Sequence, residues 1–123
     1  MRKLAPYVAR EDARGRLVGL LNEGTWEEFN YLETHAGHIR GNHYHADTTE
    51  VFFILDGEID IEILQKDGES IRDRLVAGDL LLIEPGETHT FHCLTHTRWI
   101  NALSKRFDLE NPDIHPGHKK THQ

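Results

Sequence analysis

Short apolar runs, separated by glycines and Asp-Gly pairs, make up most of the chain. The segment EIDIEILQ alternates most clearly, with Ile59, Ile61 and Ile63 on one face and Asp60 and Glu62 largely toward water, which is the period of a half-buried strand. The run EVFFILDG is apolar throughout, as expected for a strand buried on both faces. The pattern predicts strands over 16–21, 27–34, 41–45, 51–55, 58–65, 70–76, 79–83, 89–93 and 98–103, with no helix before residue 104.

Many short strands at regular spacing predict an all-β sandwich or barrel. A chain of 123 residues is the size of one domain with one core. We expect the barrel and its N-terminal strands to occupy residues 1–115. The Pro-, His- and Lys-rich residues 116–123 are predicted to form a flexible polar tail.

Composition narrows the classes of partner. The net charge of −7 argues against a nucleic-acid ligand, because that affinity depends on cationic contacts to phosphate. No apolar run approaches the roughly 18 residues that span a bilayer, and the first residues lack the apolar core of a secretion signal. Cys93 is the one cysteine, which fits a reducing compartment. We therefore predict a cytoplasmic protein without membrane or nucleic-acid partners, in which Cys93, Trp99 and Phe107 serve as core or interface residues.

Histidine is the residue type whose placement indicates chemistry. In a strand, alternate side chains share a face, so His43 and His45 point the same way. Glu50 begins the next predicted strand, and His89 begins another after the turn in EPGETH. Three imidazoles and one carboxylate would then converge, a ligand set that suits zinc first, and also iron, manganese, nickel or cobalt. The alternative is a set of hydrogen-bonded core histidines, but four inward polar groups without a ligand would carry a large desolvation penalty.

These residues resemble the two motifs of the cupin superfamily. The first motif runs through Gly37, His43, His45, Glu50 and Gly57 with every interval kept. The second resembles the stretch from Gly78 through EPGETH. The resemblance implies a small double-stranded β-helix, or jelly-roll barrel, forming a single cupin domain.

Three further stretches resemble particular cupins. EDARGRLV is similar to a signature of nucleotide-sugar 3,5-epimerases, and RGNHYH is similar to segments of those epimerases and of sugar 3,4-ketoisomerases. WINALSKRFDLENPD resembles the closing stretch of the cupin domain in capsule-type nucleotide-sugar epimerase–reductases. The resemblance implies an epimerase or isomerase acting on a nucleotide-linked keto sugar in surface-polysaccharide biosynthesis. It also implies that Arg14 and Arg40 bind the diphosphate, although both could equally be surface ion-pair residues.

Epimerisation beside a ketone needs a base that removes an α-proton. His35 and His38 are the candidate catalytic residues because they precede the metal motif and could reach the same barrel mouth; exposed, solvated histidines are the alternative. In the metal-free epimerases that share R-G-x-H-Y, the histidine of that segment is itself the base. His43 cannot be both base and ligand, and the presence of His45, Glu50 and His89 favours ligation.

Two other functions stay open. The same ligand set can hold iron with open positions, as in a metal-dependent dioxygenase or lyase acting on a small organic acid. A non-catalytic cupin that senses a ligand is the other alternative, because the fold hosts many activities. We also expect a homodimer, since pairing between subunits covers exposed sheet edges.

Overall fold

The computed structural model describes residues 1–118. Its strands are β1 (Arg2–Leu4), β2 (Val8–Asp12), β3 (Gly15–Gly19), β4 (Glu28–Thr34), β5 (Ile39–Tyr44), β6 (Glu50–Asp56), β7 (Glu58–Leu64), β8 (Ser70–Val76), β9 (Leu80–Ile83), β10 (Thr88–Cys93), β11 (Thr97–Leu103) and β12 (His115–Pro116). None of these residues is helical, and a helix able to cross a membrane is accordingly absent from this part of the chain.

Two five-stranded antiparallel sheets form the barrel. The first has the order β1-β9-β6-β11-β4 and the second the order β12-β5-β10-β7-β8, while β2 and β3 pair as a separate hairpin. Strands distant in sequence are neighbours in both sheets, as in a jelly roll. The predicted all-β jelly-roll domain is confirmed.

The core lies between the inner faces of the two sheets. Ile59, Ile61 and Ile63 are at most 1% exposed, which confirms the alternation read from EIDIEILQ. The first sheet contributes Phe52, Ile54, Leu81, Ile83 and Trp99 to the same cluster. Strand β6 is indeed covered on both faces, because Val51 joins a second cluster with Leu80 and Leu82 on the outer side of that sheet.

Side chains predicted to be buried divide into two groups. Cys93 and Trp99 are core residues at 1% and 0% exposure. Phe107 is 43% exposed and lies in a stretch without regular structure, so it is not a core residue of the single chain, and its role at an interface stays a prediction. His92, on β10, is exposed as its position opposite the inward His89 requires.

Three of the strands, β1, β2 and β12, have no counterpart in the sequence prediction. Each is short or charged and lacks apolar alternation, so only its pairing with β9, β3 or β5 makes it a strand. The pairing of β12 also bears on the predicted tail, because Pro116 lies opposite His43 and the His118 amide donates to Thr88 Oγ1 at 2.9 Å. Residues 119–123, the rest of that tail, lie outside the described residues.

Candidate metal centre

The pairing of β5 with β10 sets two of the predicted ligands directly opposite each other. His43 is the register partner of His89, and the register shifts between His89 and Thr90. The shift uses two residues with positive φ, Gly41 at 94° and Asn42 at 60°. A side chain at Gly41 would overlap the main-chain carbonyl oxygen of His89, so the close approach of the two strands requires glycine there.

The other two predicted ligands reach the same place from different elements. His45 follows the end of β5, and Glu50 is the first residue of β6 in the opposite sheet. Ligand nitrogens of His43, His45 and His89 all lie within 4.8 Å of one another. Glu50 Oε1 lies 3.1 Å from His45 Nε2 and 3.5 Å from His89 Nε2. The structure therefore brings together all four side chains.

Each imidazole makes a hydrogen bond with the main chain, and His45 and His89 do so through the nitrogen that does not face the cluster. His45 Nδ1 donates to the Asp113 carbonyl at 2.6 Å, and His89 Nδ1 donates to the Glu87 carbonyl at 3.2 Å. His43 makes a main-chain hydrogen bond with Gly41. Metal-binding histidines almost always have their second nitrogen fixed in this way, which sets the tautomer and aims the other nitrogen at the ion.

The protonation states also suit a cation. Burial lowers the pKa of His89 to about 4 and lowers the pKa of His43, so both rings are neutral near pH 7 and keep a free lone pair. Burial by itself would lower the pKa of His45 as well, but hydrogen bonds with Glu50 and Asp113 outweigh it and raise the pKa. Both nitrogens of His45 face oxygen acceptors, so an ion bound at Nε2 would take the place of the hydrogen bond with Glu50.

Two residues that received no role in the sequence analysis support the cluster. Asn101 Nδ2 donates to Glu50 Oε2 at 2.7 Å, which leaves Oε1 toward the histidines. The Asp113 carboxylate accepts hydrogen bonds from the Ala46 and Asp47 amides, both at 2.8 Å, and so fixes the turn after His45. Both residues lie in the stretch WINALSKRFDLENPD, and the resemblance of this stretch to the closing segment of a cupin domain was the signal that could have found them.

Arg40 lies on β5, three positions before His43, and is exposed. Its register partner is Phe91, which follows His89 by two residues of β10. The Arg40 guanidinium donates to Thr34 Oγ1 at 3.1 Å and to the Glu33 carbonyl at 3.2 Å. The charged group therefore lies at the end of β4, next to His35, and not at the histidine cluster.

Arg14 is not brought to this centre. It occupies the turn between β2 and β3, its side chain is 91% exposed, and its guanidinium pairs with Asp12. Within the single chain Arg14 matches the alternative of a surface ion-pair residue, because the β2–β3 hairpin forms its own sheet outside the barrel.

His35 and His38 lie at the opposite end of the β5–β10 pair, which corrects the expectation that they reach the same mouth. The Gly37 amide donates to the Cys93 carbonyl, and the Cys93 amide donates to the His38 carbonyl. Cys93 follows His89 by four residues of strand, or about 13 Å. His38 immediately precedes β5 and His43 lies near its end, so most of the length of the strand separates them.

The fold and the histidine cluster together define a cupin-like jelly-roll protein. The family model described as the polysaccharide biosynthesis C-terminal domain matches residues 10–115, and the chain belongs to that family. A curated relative, UDP-2-acetamido-2,6-beta-L-arabino-hexul-4-ose reductase of Pseudomonas aeruginosa, is 29% identical over 112 residues, which are 85% of this chain and 29% of the relative.

Solved structures share the fold at lower identity. The capsular polysaccharide assembling protein CapF of Staphylococcus aureus has a TM-score of 0.71 at 21% identity, over 91% of this chain and 34% of that one. The QdtA 3,4-ketoisomerase of Thermoanaerobacterium thermosaccharolyticum, a double mutant in complex with TDP, has a TM-score of 0.69 at 21% identity, over 89% and 82%. This chain thus spans about a third of CapF and under a third of the Pseudomonas relative.

Proposed function

We propose that this chain binds a divalent metal ion through His43, His45, His89 and Glu50 and acts as an epimerase or isomerase on a nucleotide-linked keto sugar in surface-polysaccharide biosynthesis. The observation that carries the proposal is the orientation of the three rings: each is held by main chain on one side, and their ligand nitrogens lie within 4.8 Å of one another.

The donor set indicates which ions fit. Three imidazole nitrogens and one carboxylate oxygen suit zinc, and also iron, manganese, nickel or cobalt. A bound ion of this kind supplies a Lewis acid that polarises a sugar carbonyl. A bound ion would replace the hydrogen bond between His45 Nε2 and Glu50, and the Glu50 carboxylate would offset part of the positive charge of the ion.

The remaining residues of the centre fit a polar sugar. Asn101 is 9% exposed, and its Oδ1 is the one buried side-chain oxygen or nitrogen in residues 1–118 that has no hydrogen-bond partner. Because an unsatisfied buried acceptor is costly, we assign it to a substrate hydroxyl. Arg40 lies outside the centre, at the end of β4, and carries a planar guanidinium, which suits the diphosphate of a nucleotide sugar that extends from the cluster along β5. The relatives named above include a UDP-sugar reductase and a ketoisomerase solved with TDP.

A metal-free version of the same function is the alternative to this proposal. His43 is the least buried of the three histidines and its pKa is lowered, so it is neutral near pH 7 and able to accept a proton. In this version His43 removes the α-proton of the keto sugar, and His45 with Glu50 forms an ion pair that supports the wall of the cavity.

Deuterium exchange separates these possibilities. Metal-stripped and zinc-loaded protein would be incubated in D2O with a UDP- or TDP-linked 4-keto-6-deoxyhexose, and deuterium at the carbons beside the ketone would be followed by mass spectrometry. Exchange that requires metal supports the proposal, while equal exchange in stripped protein supports the metal-free version. Absence of exchange under both conditions, with tight metal binding shown by elemental analysis, would leave the metal site standing and refute the epimerase or isomerase activity.

A His92→Ala variant provides the matched control. His92 is an exposed histidine on β10, the strand that carries His89. Its loss should leave both exchange and metal content at parental values, whereas His43→Ala should abolish exchange under either version.

A further inference from the structure

A second group of histidines lies at the end of the barrel away from the metal centre. His35 and His38 belong to the connection between β4 and β5, and His96 belongs to the connection between β10 and β11. All three are exposed. The group is separate from the first one, since Cys93, which bonds the His38 carbonyl, stands about 13 Å along β10 from His89.

The main chain fixes the β4–β5 connection against the end of β10, the strand that leads into the connection with His96. The Gly37 amide donates to the Cys93 carbonyl at 2.7 Å, and the Cys93 amide donates to the His38 carbonyl at 3.0 Å. A further bond from the His38 amide to the His35 carbonyl, at 3.2 Å, closes the turn that carries both histidines. The backbone that presents these rings is therefore already ordered, and binding a ligand there costs little additional chain entropy.

Two of the rings have the separation of ligands on one ion. His35 Nδ1 lies 3.3 Å from His96 Nδ1. Two nitrogens bonded to one tetrahedral zinc at about 2.0–2.1 Å are about 3.3–3.4 Å apart. The ring centroids of His35 and His96 are 5.3 Å apart, the same as those of His45 and His89 in the first cluster.

A third imidazole stands beside this pair. The His38 ring centroid is 6.5 Å from that of His35, and an exposed side chain turns between rotamers at low cost. Without a cation, the contact between His35 and His96 is a hydrogen bond in which one Nδ1 donates to the other. A cation is accommodated when that proton moves to Nε2 of the same ring, which leaves two neutral lone pairs facing the ion.

We propose that His35 and His96, with His38 as a third ligand, form a second transition-metal site that joins the two connections. The ligand set is all imidazole, which suits zinc, copper and nickel, and exposure leaves the remaining coordination positions to water. The net charge of −7 favours accumulation of cations near the surface. This site does not depend on the function proposed for the first cluster.

Calorimetric titration of the metal-stripped full chain with zinc chloride tests the site. His35→Ala and His96→Ala should each lose one equivalent of zinc that the parent binds, and His38→Ala should weaken that equivalent. His92→Ala is the control, because it removes an exposed histidine of β10 that is not part of the group, and it should bind zinc as the parent does. Circular dichroism and thermal unfolding confirm that each variant is folded.

The nitrogen chemical shifts of the histidine rings give a second readout. Zinc should move the Nδ1 resonances of His35 and His96 together, at the same molar ratio as the equivalent that the variants lose. If the first cluster binds no zinc, His35→Ala and His96→Ala should still each remove the one equivalent that belongs to the second site. The two sites are therefore tested separately. Zinc binding that is unchanged in both His35→Ala and His96→Ala would overturn the proposal.

Discussion

The two ends of the β5–β10 pair carry histidines in opposite surroundings. At one end His43, His45 and His89 are partly or fully buried, and each ring is oriented by main-chain hydrogen bonds. At the other end His35, His38 and His96 are exposed, and a hydrogen bond between His35 and His96 joins two of the rings. The comparison shows that residue type and spacing do not by themselves decide the surroundings of a histidine cluster. Burial lowers the pKa of His43 and His89, and main-chain hydrogen bonds hold the buried rings.

The largest effect should follow from removing His89, which is 1% exposed at the centre of the inner cluster. We expect His89→Ala to lose zinc affinity at that cluster by more than the about 10–100-fold typical of changes outside the ligand shell. His92→Ala, on the same strand, should keep parental affinity. Competition with a chromophoric chelator measures both, and His89→Gln repeats the test with less loss of volume. Unchanged affinity in both His89 variants would show that the cluster is not a metal site.

Removing an aromatic ring from the core between the two ends should have the next largest effect. Phe91 is 1% exposed and packs against Phe52 and Trp99, with ring centroids 4.6 and 4.9 Å apart. Phe91→Ala should lower the free energy of unfolding by about 3–5 kcal/mol, because it leaves a cavity in a close-packed core. Phe29, which is 71% exposed, offers the control, and Phe29→Ala should stay within about 0.5 kcal/mol of the parent. Urea unfolding measures both, and equal losses would contradict this account of the core.

Alanine substitutions at two glycines separate the cost of backbone strain from the cost of losing a close contact between strands. Gly41 and Gly37 both have positive φ, at 94° and 85°, so alanine at either costs about 1–3 kcal/mol of strain. Only Gly41 also lies against the His89 carbonyl, whereas nothing lies within 4 Å of a side chain added at Gly37. Gly41→Ala should therefore unfold at lower urea than Gly37→Ala and also lose zinc affinity. Equal stability and equal affinity of the two variants would refute the close-approach explanation.

The smallest of these effects should come from Asp113. Its carboxylate fixes the turn after His45, and two amide donors, with Thr48 and His115, lower its pKa although partial burial opposes this. Asp113→Ala should weaken zinc binding by about tenfold, the lower end of the range for a residue that orients a ligand. Asp108→Ala is the control, because the Asp108 carboxylate accepts the Glu110 amide, whereas the amides of the turn after His45 donate to Asp113. An affinity that is the same in both variants would mean that the turn does not position His45.

Much of the fold followed from the sequence because local pattern and tertiary structure agreed. The alternation in EIDIEILQ and the continuous run in EVFFILDG both match the observed burial. Strands β1, β2 and β12 were missed since their residues carry no such pattern and depend on partners elsewhere in the chain. The expected homodimer and cytoplasmic location stay predictions.

In the candidate site too, residues set by local sequence pattern were predicted, and residues set by distant strand pairing were not. The spacings of His43, His45 and Glu50, with the turn before His89, are local features, and a strand with a fixed period converts them directly into directions in space. By itself the sequence therefore determined the strand period, the all-β class and the four side chains that meet.

Only the tertiary structure decided which other residues join them. Asn101 and Asp113 reach the cluster from positions 51 and 68 residues beyond Glu50 and His45, while His35 and His38, much nearer in sequence, lie at the far end of β10. The reason is that pairing between strands from distant parts of the chain brings residues together. Within one strand, in contrast, each further residue adds about 3.3 Å of separation.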